Sequence, residues 1–329
     1  MKKIPVIFDV DTGLDDSMAL FAGVNDPRFE TLAVTATYGN TTLENSLRNT
    51  LNALHLLGRP DVPVGKGACQ GFRCQRHTSP LIHGESGIGT FVYPEDSREN
   101  LSLLPAWDLI AERCFSSEEK VTVFVLGPCT NAAMAVLKYP DLKEKIGRFV
   151  FMGGGIRIGA AGQCASVNVY HDPEAFGVLI HSGIPFYMFT SEQFTDSLHI
   201  TPNEAKEVFA EGDELCQTVY HMLKDYHRSS TAFDGKAPDP DRPVVLHDPA
   251  CVMAMLDETL YEPVKLFCGI ELKGTYTYGM TVIDVNDRLH KSDEEKNIFL
   301  ACAKEGVEEK MKQMFISCIL NAGGKHEQI

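Results

Sequence analysis

Four aspartates lie close together near the start of the chain, directly after a short apolar stretch. Asp9, Asp11, Asp15 and Asp16 fall within eight positions, and Gly13 among them allows a sharp turn. Closely spaced carboxylates repel one another unless a cation lies between them, and oxygen ligands favour a hard ion such as Ca²⁺ or Mg²⁺. An acidic helix N-terminus favoured by the helix dipole is the alternative, but it explains one or two acids rather than four.

The composition limits the possible partners. The chain has 329 residues, of which 44% are hydrophobic, and a formal net charge of −15. We expect one domain spanning residues 1–329. The negative charge argues against nucleic acid or an anionic membrane surface as a partner, and no apolar run is long enough for a membrane span.

The amino-terminal residues and the cysteines predict a cytoplasmic protein. The stretch after Met1 lacks the apolar core of a signal peptide, and ten cysteines without such a signal are expected to be reduced. Cys69, Cys74 and His77 are spaced as in a zinc knuckle, but a fourth ligand is missing, which makes a zinc site the weaker interpretation.

Apolar stretches alternate with segments of helical periodicity along the first half of the chain. The pattern predicts strands at 4–8, 32–37, 62–65, 121–126, 148–152 and 185–189, and helices at 15–23, 43–57, 132–138 and 173–182. Residues 66–100 are predicted to form a long loop. The alternation predicts an α/β fold with an open, mainly parallel central sheet and helices on both faces.

The second half of the chain is predicted to be more helical. We expect helices at 203–210, 213–228, 247–255 and 306–321, and strands at 264–272, 280–285 and 297–303. Residues 229–243 are polar and contain proline and glycine, which predicts a mobile loop.

Polar residues follow several of the predicted strands. Because the carboxyl ends of parallel strands share one edge of a sheet, these residues are expected to converge on one site. Asp248, which opens a predicted helix with His247, could reach the same edge. Asp11, Asp16 and Asp248, with one free backbone carbonyl, would form an oxygen cage for Ca²⁺.

The acidic segment and several later segments together resemble those of the inosine–uridine-preferring nucleoside hydrolases. The segment Asp9-Val10-Asp11-Thr12-Gly13-Leu14-Asp15-Asp16 resembles the amino-terminal D-x-D-x-G-x-D-D signature of that family. Further segments follow in the family's order: Tyr38-Gly39-Asn40, His83-Gly84-Glu85-Ser86-Gly87-Ile88-Gly89, Gly127-Pro128-Cys129-Thr130-Asn131, Phe151-Met152-Gly153-Gly154-Gly155, Asn168, Asp172-Pro173-Glu174-Ala175, His247-Asp248-Pro249 and Gly279-Met280-Thr281-Val282. The resemblance covers nearly the whole chain.

The resemblance implies an enzyme that hydrolyses the N-glycosidic bond of ribonucleosides to ribose and free base. It implies Ca²⁺ held by Asp11, Asp16, Asp248 and the main-chain carbonyl of Leu126. It also implies a role in nucleoside salvage and a homodimer or homotetramer. Asp11 is expected to deprotonate the attacking water, and the sugar to pass through an oxocarbenium-like state.

The remaining site residues are expected to bind the nucleoside. Asp15 is expected to point away from Asp16, since neighbours at a helix start diverge by about 100°, and to hold the ribose hydroxyls. His247 is expected to protonate the leaving base. The other substrate contacts implied by the resemblance are Asn40, His83, Met152 and Asn168.

Two positions depart from the family pattern. Many members have Asn and Glu where this chain has Ala160 and Ser166, and those longer side chains hold the 5′ end of the ribose. One hypothesis is a pocket that accepts a 5′-modified nucleoside, with Arg157 or Gln163 approaching it; local misalignment in a variable loop is the alternative. In the segment 225–243, Tyr226, His227 and Phe233 are candidates for contact with the base.

Two other functions are compatible with parts of the sequence. Phe8-Asp9-Val10-Asp11-Thr12 resembles the nucleophile strand of haloacid dehalogenase-type phosphatases, with Asp9 as nucleophile and Mg²⁺ nearby. The other segments do not match that class. A non-catalytic sugar or nucleoside binder, which keeps the cage without turnover, is compatible with the changes at Ala160 and Ser166.

Overall fold

The computed structural model describes residues 2–73, 78–94, 96–156, 161 and 164–323. Its strands are β1 (Ile4–Val10), β2 (Phe29–Ala36), β3 (Val64–Lys66), β4 (Leu101–Pro105), β5 (Val121–Val125), β6 (Ile146–Met152), β7 (Phe186–Phe189), β8 (His199–Ile200), β9 (Val244–Val245), β10 (Tyr261–Leu266), β11 (Cys268–Ile270), β12 (Thr281–Ile283) and β13 (Ile298–Ala303).

Helices fill most of the connections between these strands. They are α1 (Leu14–Gly23), α2 (Leu43–Leu56), α3 (Pro80–His83), α4 (Ala106–Ser116), α5 (Thr130–Lys138), α6 (Val167–His171), α7 (Pro173–Ile180), α8 (Pro202–Phe209), α9 (Glu214–Phe233), α10 (His247–Leu256) and α11 (Glu308–Ala322).

Within the described residues, nine strands form one sheet in the order β10-β13-β7-β6-β5-β1-β2-β3-β4. Only β10 runs antiparallel to its neighbour, β13, and the other pairings are parallel. Strand β1 lies between β2 and β5, so that Asp9 is in register with both Thr35 and Val125. The carboxyl ends of these strands therefore meet at one edge of the sheet.

Both faces of the sheet are covered by apolar helices. Phe8 and Phe124 stack on one face at 4.7 Å between ring centroids, in a core that includes residues of α1, α9, α10 and α11. Phe151 and Phe176 belong to the core of the opposite face, which receives α4, α5 and α7. The central strands β1 and β5 are largely apolar on both sides because both sides are buried, and the predicted α/β architecture is confirmed.

Two predicted elements differ from the structure. Helix α9 continues to Phe233, whereas residues 229–243 were predicted to form a loop throughout. The hydroxyl of Ser230 donates to the Tyr226 carbonyl at 2.7 Å, so the polar residues are satisfied inside the helix. The strand predicted at 264–272 is instead two strands, β10 and β11, in separate sheets.

Among the described residues, none of the helices combines the length and the apolar character that crossing a membrane requires.

Candidate active site

The turn from β1 into α1 is organised by the side chain of Asp16. Its Oδ2 accepts a hydrogen bond from the Gly13 N–H at 3.0 Å, and its Oδ1 accepts one from the Asp11 N–H at 3.2 Å. The Asn40 side-chain amide donates to the same Oδ2 at 2.9 Å. Asp16 therefore fixes the turn that carries the other acidic residues.

Three carboxylates converge at this turn. Oxygen atoms of Asp15, Asp16 and Asp248 all lie within 4.8 Å of one another, and the three residues are buried. Asp248 comes from the first turn of α10, so the two halves of the chain meet as predicted. The expectation that Asp15 points away from Asp16 stays a prediction: the two carboxylates have different hydrogen-bond partners, and one oxygen of each lies within 4.8 Å of the other.

Asp11 lies beside this group in a close-fitting cradle of backbone. Its Oδ2 accepts the Asn40 N–H at 2.6 Å. A Cβ atom at Gly39 would lie 2.0 Å from this oxygen, and one at Gly127 would lie 2.7 Å from Oδ1. Gly39 also has a φ of +152°, which L-residues rarely adopt. Both glycines are therefore needed for Asp11 to occupy its position.

Burial makes these carboxylates difficult to ionise without a counter-charge. Burial, with repulsion from Asp16, raises the pKa of Asp11 well above its usual value. Burial, with repulsion from Asp15, does the same to the pKa of Asp248. Burial raises the pKa of Asp15 as well, and burial together with the charge of Asp15 raises the pKa of Asp16 to about 6.

The donor set fits a hard divalent cation. Oδ1 of Asp11 and Oδ1 of Asp15 are buried, and neither has a hydrogen-bond partner among the described residues. Leaving such oxygens buried and unpaired is costly, so a ligand is expected to satisfy them. Since the ligating atoms are oxygens, they match the preference of Ca²⁺ or Mg²⁺.

The carbonyl of Leu126 lies at the same edge, but it is not free. The side-chain Nδ2 of Asn168 donates to it at 2.5 Å and to the Met152 carbonyl at 3.0 Å. The expectation of a free carbonyl is therefore wrong, because the ends of β5 and β6 share this amide. A carbonyl oxygen has two lone pairs, so the hydrogen bond leaves one for a metal.

Two buried histidines border the acidic group. His83 Nδ1 accepts the Leu14 N–H at 3.2 Å, which leaves the proton of the neutral ring on Nε2. Burial lowers the pKa of His83 to about 4. His247 Nδ1 shares a hydrogen bond with Thr195 Oγ1 at 2.8 Å, and burial lowers the pKa of His247, while Asp15 opposes the shift.

A cavity of about 690 Å³ opens onto these residues. It is lined by predicted site residues from several elements: Asp15, Asn40, His83, Leu126, Met152, Asn168, His247 and Asp248. Tyr226 and Phe233 also line it, whereas His227 does not, so two of the three candidates for base contact face the cavity. Tyr226 donates from its hydroxyl to Asp15 Oδ2 at 3.4 Å.

Of the two positions that depart from the family pattern, Ser166 lies within the described residues. Ser166 lines the cavity, and its Oγ accepts the Gly154 N–H at 2.7 Å. Ala160, Arg157 and Gln163 lie outside the described residues. Two of the three residues of the zinc hypothesis, Cys74 and His77, also lie outside the described residues.

Two polar residues near the site were not predicted. Thr195 holds His247, and Asp225 joins α9 to the segment after α3. Neither carries a local signal in the sequence, because each becomes significant only through a partner that is distant in the chain.

The chain is similar to known proteins over most of its length. Residues 6–310 match the family model described as inosine-uridine preferring nucleoside hydrolase. The chain is 35% identical over 285 residues to the pyrimidine-specific ribonucleoside hydrolase RihA of Citrobacter koseri, covering 85% of this chain and 88% of that protein. It is also 35% identical over 284 residues to RihA of Salmonella enteritidis, with the same coverage.

Solved structures give the same result for the fold. The purine-preferring ribonucleoside hydrolase from Gardnerella vaginalis is 28% identical and superimposes with a TM-score of 0.86, covering 97% of this chain and 99% of that one. Both the family model and these relatives span most of the sequence. The chain therefore belongs to the nucleoside hydrolase family, whose members act on N-glycosyl bonds.

Proposed function

We propose that this chain catalyses Ca²⁺-dependent hydrolysis of ribonucleosides to ribose and free base. The observation that carries the proposal is the buried group of Asp15, Asp16 and Asp248, with oxygens within 4.8 Å of one another beside the cavity. Such a concentration of negative charge binds a cation, and the cavity has room for a nucleoside.

The residues that would hold the ion are Asp11, Asp16, Asp248 and the carbonyl of Leu126. Bound Ca²⁺ would lower the pKa of water and attract the ribose hydroxyls. Ca²⁺ accepts six to eight oxygen ligands in flexible geometry, which suits a site that also receives a substrate. Asp15 has an unpartnered Oδ1 in the same group, and we assign this atom to a ribose hydroxyl.

Asp11 is the proposed general base. Its Oδ2 is held by the Asn40 N–H, while its Oδ1 has no hydrogen-bond partner among the described residues. This second oxygen can accept the proton of the water that attacks the anomeric carbon.

His247 is the proposed proton donor to the leaving base. It lines the cavity, and its Nδ1 is engaged by Thr195, so Nε2 is the ring nitrogen available to the substrate. Protonation of the base lowers the cost of breaking the glycosidic bond as positive charge develops on the sugar. The rings of His83 and Tyr226 are 5.9 Å apart in the lining of the cavity, where His83 would flank the base.

The amides of Asn40 and Asn168 are arranged to bind the sugar. Each uses its Nδ2 on protein acceptors: Asn40 on Asp16, and Asn168 on the carbonyls of Leu126 and Met152. Their Oδ1 atoms remain to accept hydrogen bonds from ribose hydroxyls. Met152 lies against the same part of the cavity.

We further propose that pyrimidine ribonucleosides are the preferred substrates. The RihA proteins, named pyrimidine-specific, are 35% identical to this chain, whereas the purine-preferring enzyme is 28% identical. A 5′-modified nucleoside is the second candidate, since Ser166 is short and its Oγ already accepts the Gly154 N–H.

The test is a substrate panel with a reducing-sugar readout. Cytidine, uridine, inosine and adenosine are each compared with their 5′-monophosphates, before and after chelation and after addition of Ca²⁺ or Mg²⁺. We expect release of ribose from cytidine and uridine that is lost on chelation and restored by Ca²⁺. Asp11→Asn is the control for the general base. Binding of nucleosides without turnover would instead support the non-catalytic binder, and phosphate release would support the phosphatase.

A further inference from the structure

The cavity is bounded by two walls that come from different parts of the chain. Helix α3 supplies His83 and α9 supplies Tyr226, with ring centroids 5.9 Å apart. Tyr226 also reaches Asp15 through its hydroxyl. The relative position of α3 and α9 therefore determines the shape of the cavity around the nucleobase.

Asp225, the neighbour of Tyr226 on α9, joins these walls. Its side chain is buried, with the residue 4% exposed. Oδ2 accepts two hydrogen bonds from Thr90, one from the backbone N–H at 2.5 Å and one from the hydroxyl at 2.7 Å. Arg228 approaches Oδ1 at 3.0 Å, and His221 lies 3.8 Å from Oδ2. Hydrogen bonds to an ionised acceptor are stronger than neutral ones.

The segment between α3 and Thr90 is shaped to receive this carboxylate. Gly84, Gly87 and Gly89 all have positive φ values, of +73°, +91° and +65°. A Cβ atom at Gly89 would lie 2.5 Å from Asp225 Oδ2. The backbone therefore turns closely around the carboxylate at a position where a side chain would not fit.

We propose that Asp225 is a positioning residue that holds the His83 wall against Tyr226 and so sets the affinity for the nucleobase. The inference rests on the proposed function. Asp225 does not line the cavity, and the acidic group at the β1–α1 turn lies on other elements. Loss of the Asp225–Thr90 contact should consequently weaken substrate binding more than it slows the chemical step.

The experiment compares steady-state kinetics with hydrogen exchange in the complete protein. For Asp225→Ala we expect KM to rise about tenfold or more while kcat stays within about threefold. Exchange of the backbone amides of residues 84–91 should accelerate at least about tenfold, because the Thr90 N–H loses its acceptor. Arg228→Gln is the matched control: it removes a neighbouring charge but leaves both Thr90 contacts, and should behave as the unchanged protein.

A second pair of variants covers the case in which Asp225→Ala does not fold. Thr90→Val removes the hydroxyl hydrogen bond and should raise KM, whereas Thr90→Ser keeps the hydroxyl and should restore it. An unchanged KM in Thr90→Val with a lowered Tm would overturn the proposal, since a purely structural contact behaves in that way. If the unchanged protein hydrolyses no nucleoside, the proposed function fails; hydrogen exchange and calorimetric nucleoside affinity, measured on the same variants, then decide the role of Asp225.

Discussion

Thr195 Oγ1 lies 2.8 Å from Nδ1 of His247, and Thr195 is completely buried. The hydrogen bond fixes the imidazole ring and engages one of its two nitrogens. Under the proposed role of His247 as general acid, the ring must present its proton at the reacting atom, and this contact would orient it to do so. No other hydrogen bond of the Thr195 hydroxyl is seen within the described ranges.

Thr195→Val keeps the shape of the side chain and removes this hydrogen bond. We expect kcat to fall about tenfold to a hundredfold with KM little changed, a smaller loss than in His247→Ala. Thr195→Ser retains the hydroxyl and should keep most of the activity. The pH profile of kcat checks the assignment: if it is the same in Thr195→Val and the unchanged protein, Thr195 does not act through His247.

Removal of the Asp248 charge should lower activity without lowering the stability of the metal-free protein. Asp248→Asn takes one charge out of the group formed with Asp15 and Asp16, so it relieves repulsion in the metal-free protein while weakening the metal site. We expect kcat to fall roughly a thousandfold, equivalent to about 4 kcal/mol.

Thermal unfolding with and without Ca²⁺ provides the second measurement for Asp248→Asn. The Tm of the unchanged protein should rise with Ca²⁺, since a ligand that binds only the folded state stabilises it. The variant should have an equal or higher Tm in chelator and a much smaller response to Ca²⁺. An undiminished response to Ca²⁺ would exclude Asp248 as a ligand. Glu118→Gln, at an exposed position after α4, serves as the control for a loss of charge.

The glycine at position 39 should be essential for the placement of Asp11. Gly39→Ala places a methyl group 2.0 Å from Asp11 Oδ2 at a φ of +152°. We expect a loss of about 2 kcal/mol or more of unfolding free energy and a roughly hundredfold loss of activity, since the carboxylate must move.

Gly58→Ala is the matched control for Gly39→Ala. It also has a positive φ, of +65°, but no atom of the described chain lies within 4 Å of its added Cβ. It should cost about 1 kcal/mol and leave kcat and KM unchanged. Chemical denaturation and steady-state kinetics measure both effects, and equal activity losses in the two variants would contradict the role of Gly39.

Much of this architecture follows from the sequence for a physical reason. The strands β1 and β5 are buried on both faces and are therefore largely apolar, and the polar residues at their ends mark the edge where the site lies. Asp248 is far from Asp16 in the sequence, and its position at a predicted helix start and the ordered resemblance to a family are the two observations that assign it to the site.

The parts that could not be predicted depend on side-chain directions and on distant partners. That one oxygen of Asp15 lies within 4.8 Å of oxygens of Asp16 and Asp248 does not follow from helix geometry, which gives only the directions in which neighbouring side chains leave the backbone. The amide of Asn168 on the Leu126 carbonyl depends on the juxtaposition of β5, β6 and α6. In the last turns of α9 the hydroxyls of Ser229 and Ser230 donate to the Tyr226 carbonyl inside the helix, although serine in isolation favours loops.

The ion pair between Asp257 and Lys310 should make stability depend on pH in acid. Lys310 Nζ lies 2.6 Å from Asp257 Oδ2, and the Thr259 N–H donates to Oδ1 at 2.9 Å. Burial opposes ionisation, but the hydrogen bonds from Lys310 and Thr259 outweigh it and lower the pKa of Asp257 to about 2. A carboxyl whose folded pKa is lowered stabilises the fold above its unfolded pKa of about 4 and loses this contribution as the pH falls towards 2.

Asp257→Asn should therefore reduce the free energy of unfolding by about 1 kcal/mol at pH 7. The effect is small because the ion pair is half exposed, and it includes a weaker cap, since the Asp257 side chain accepts the Thr259 N–H at the start of the next turn. The difference from the unchanged protein should be constant down to about pH 5 and shrink as the pH falls further. Urea denaturation at pH 7, 5, 4 and 3 measures it, with Lys236→Met, which breaks the exposed pair to Asp234, as the control. A difference that grows as the pH falls would contradict the assigned sign, since it would mean that ionisation of Asp257 destabilises the folded state.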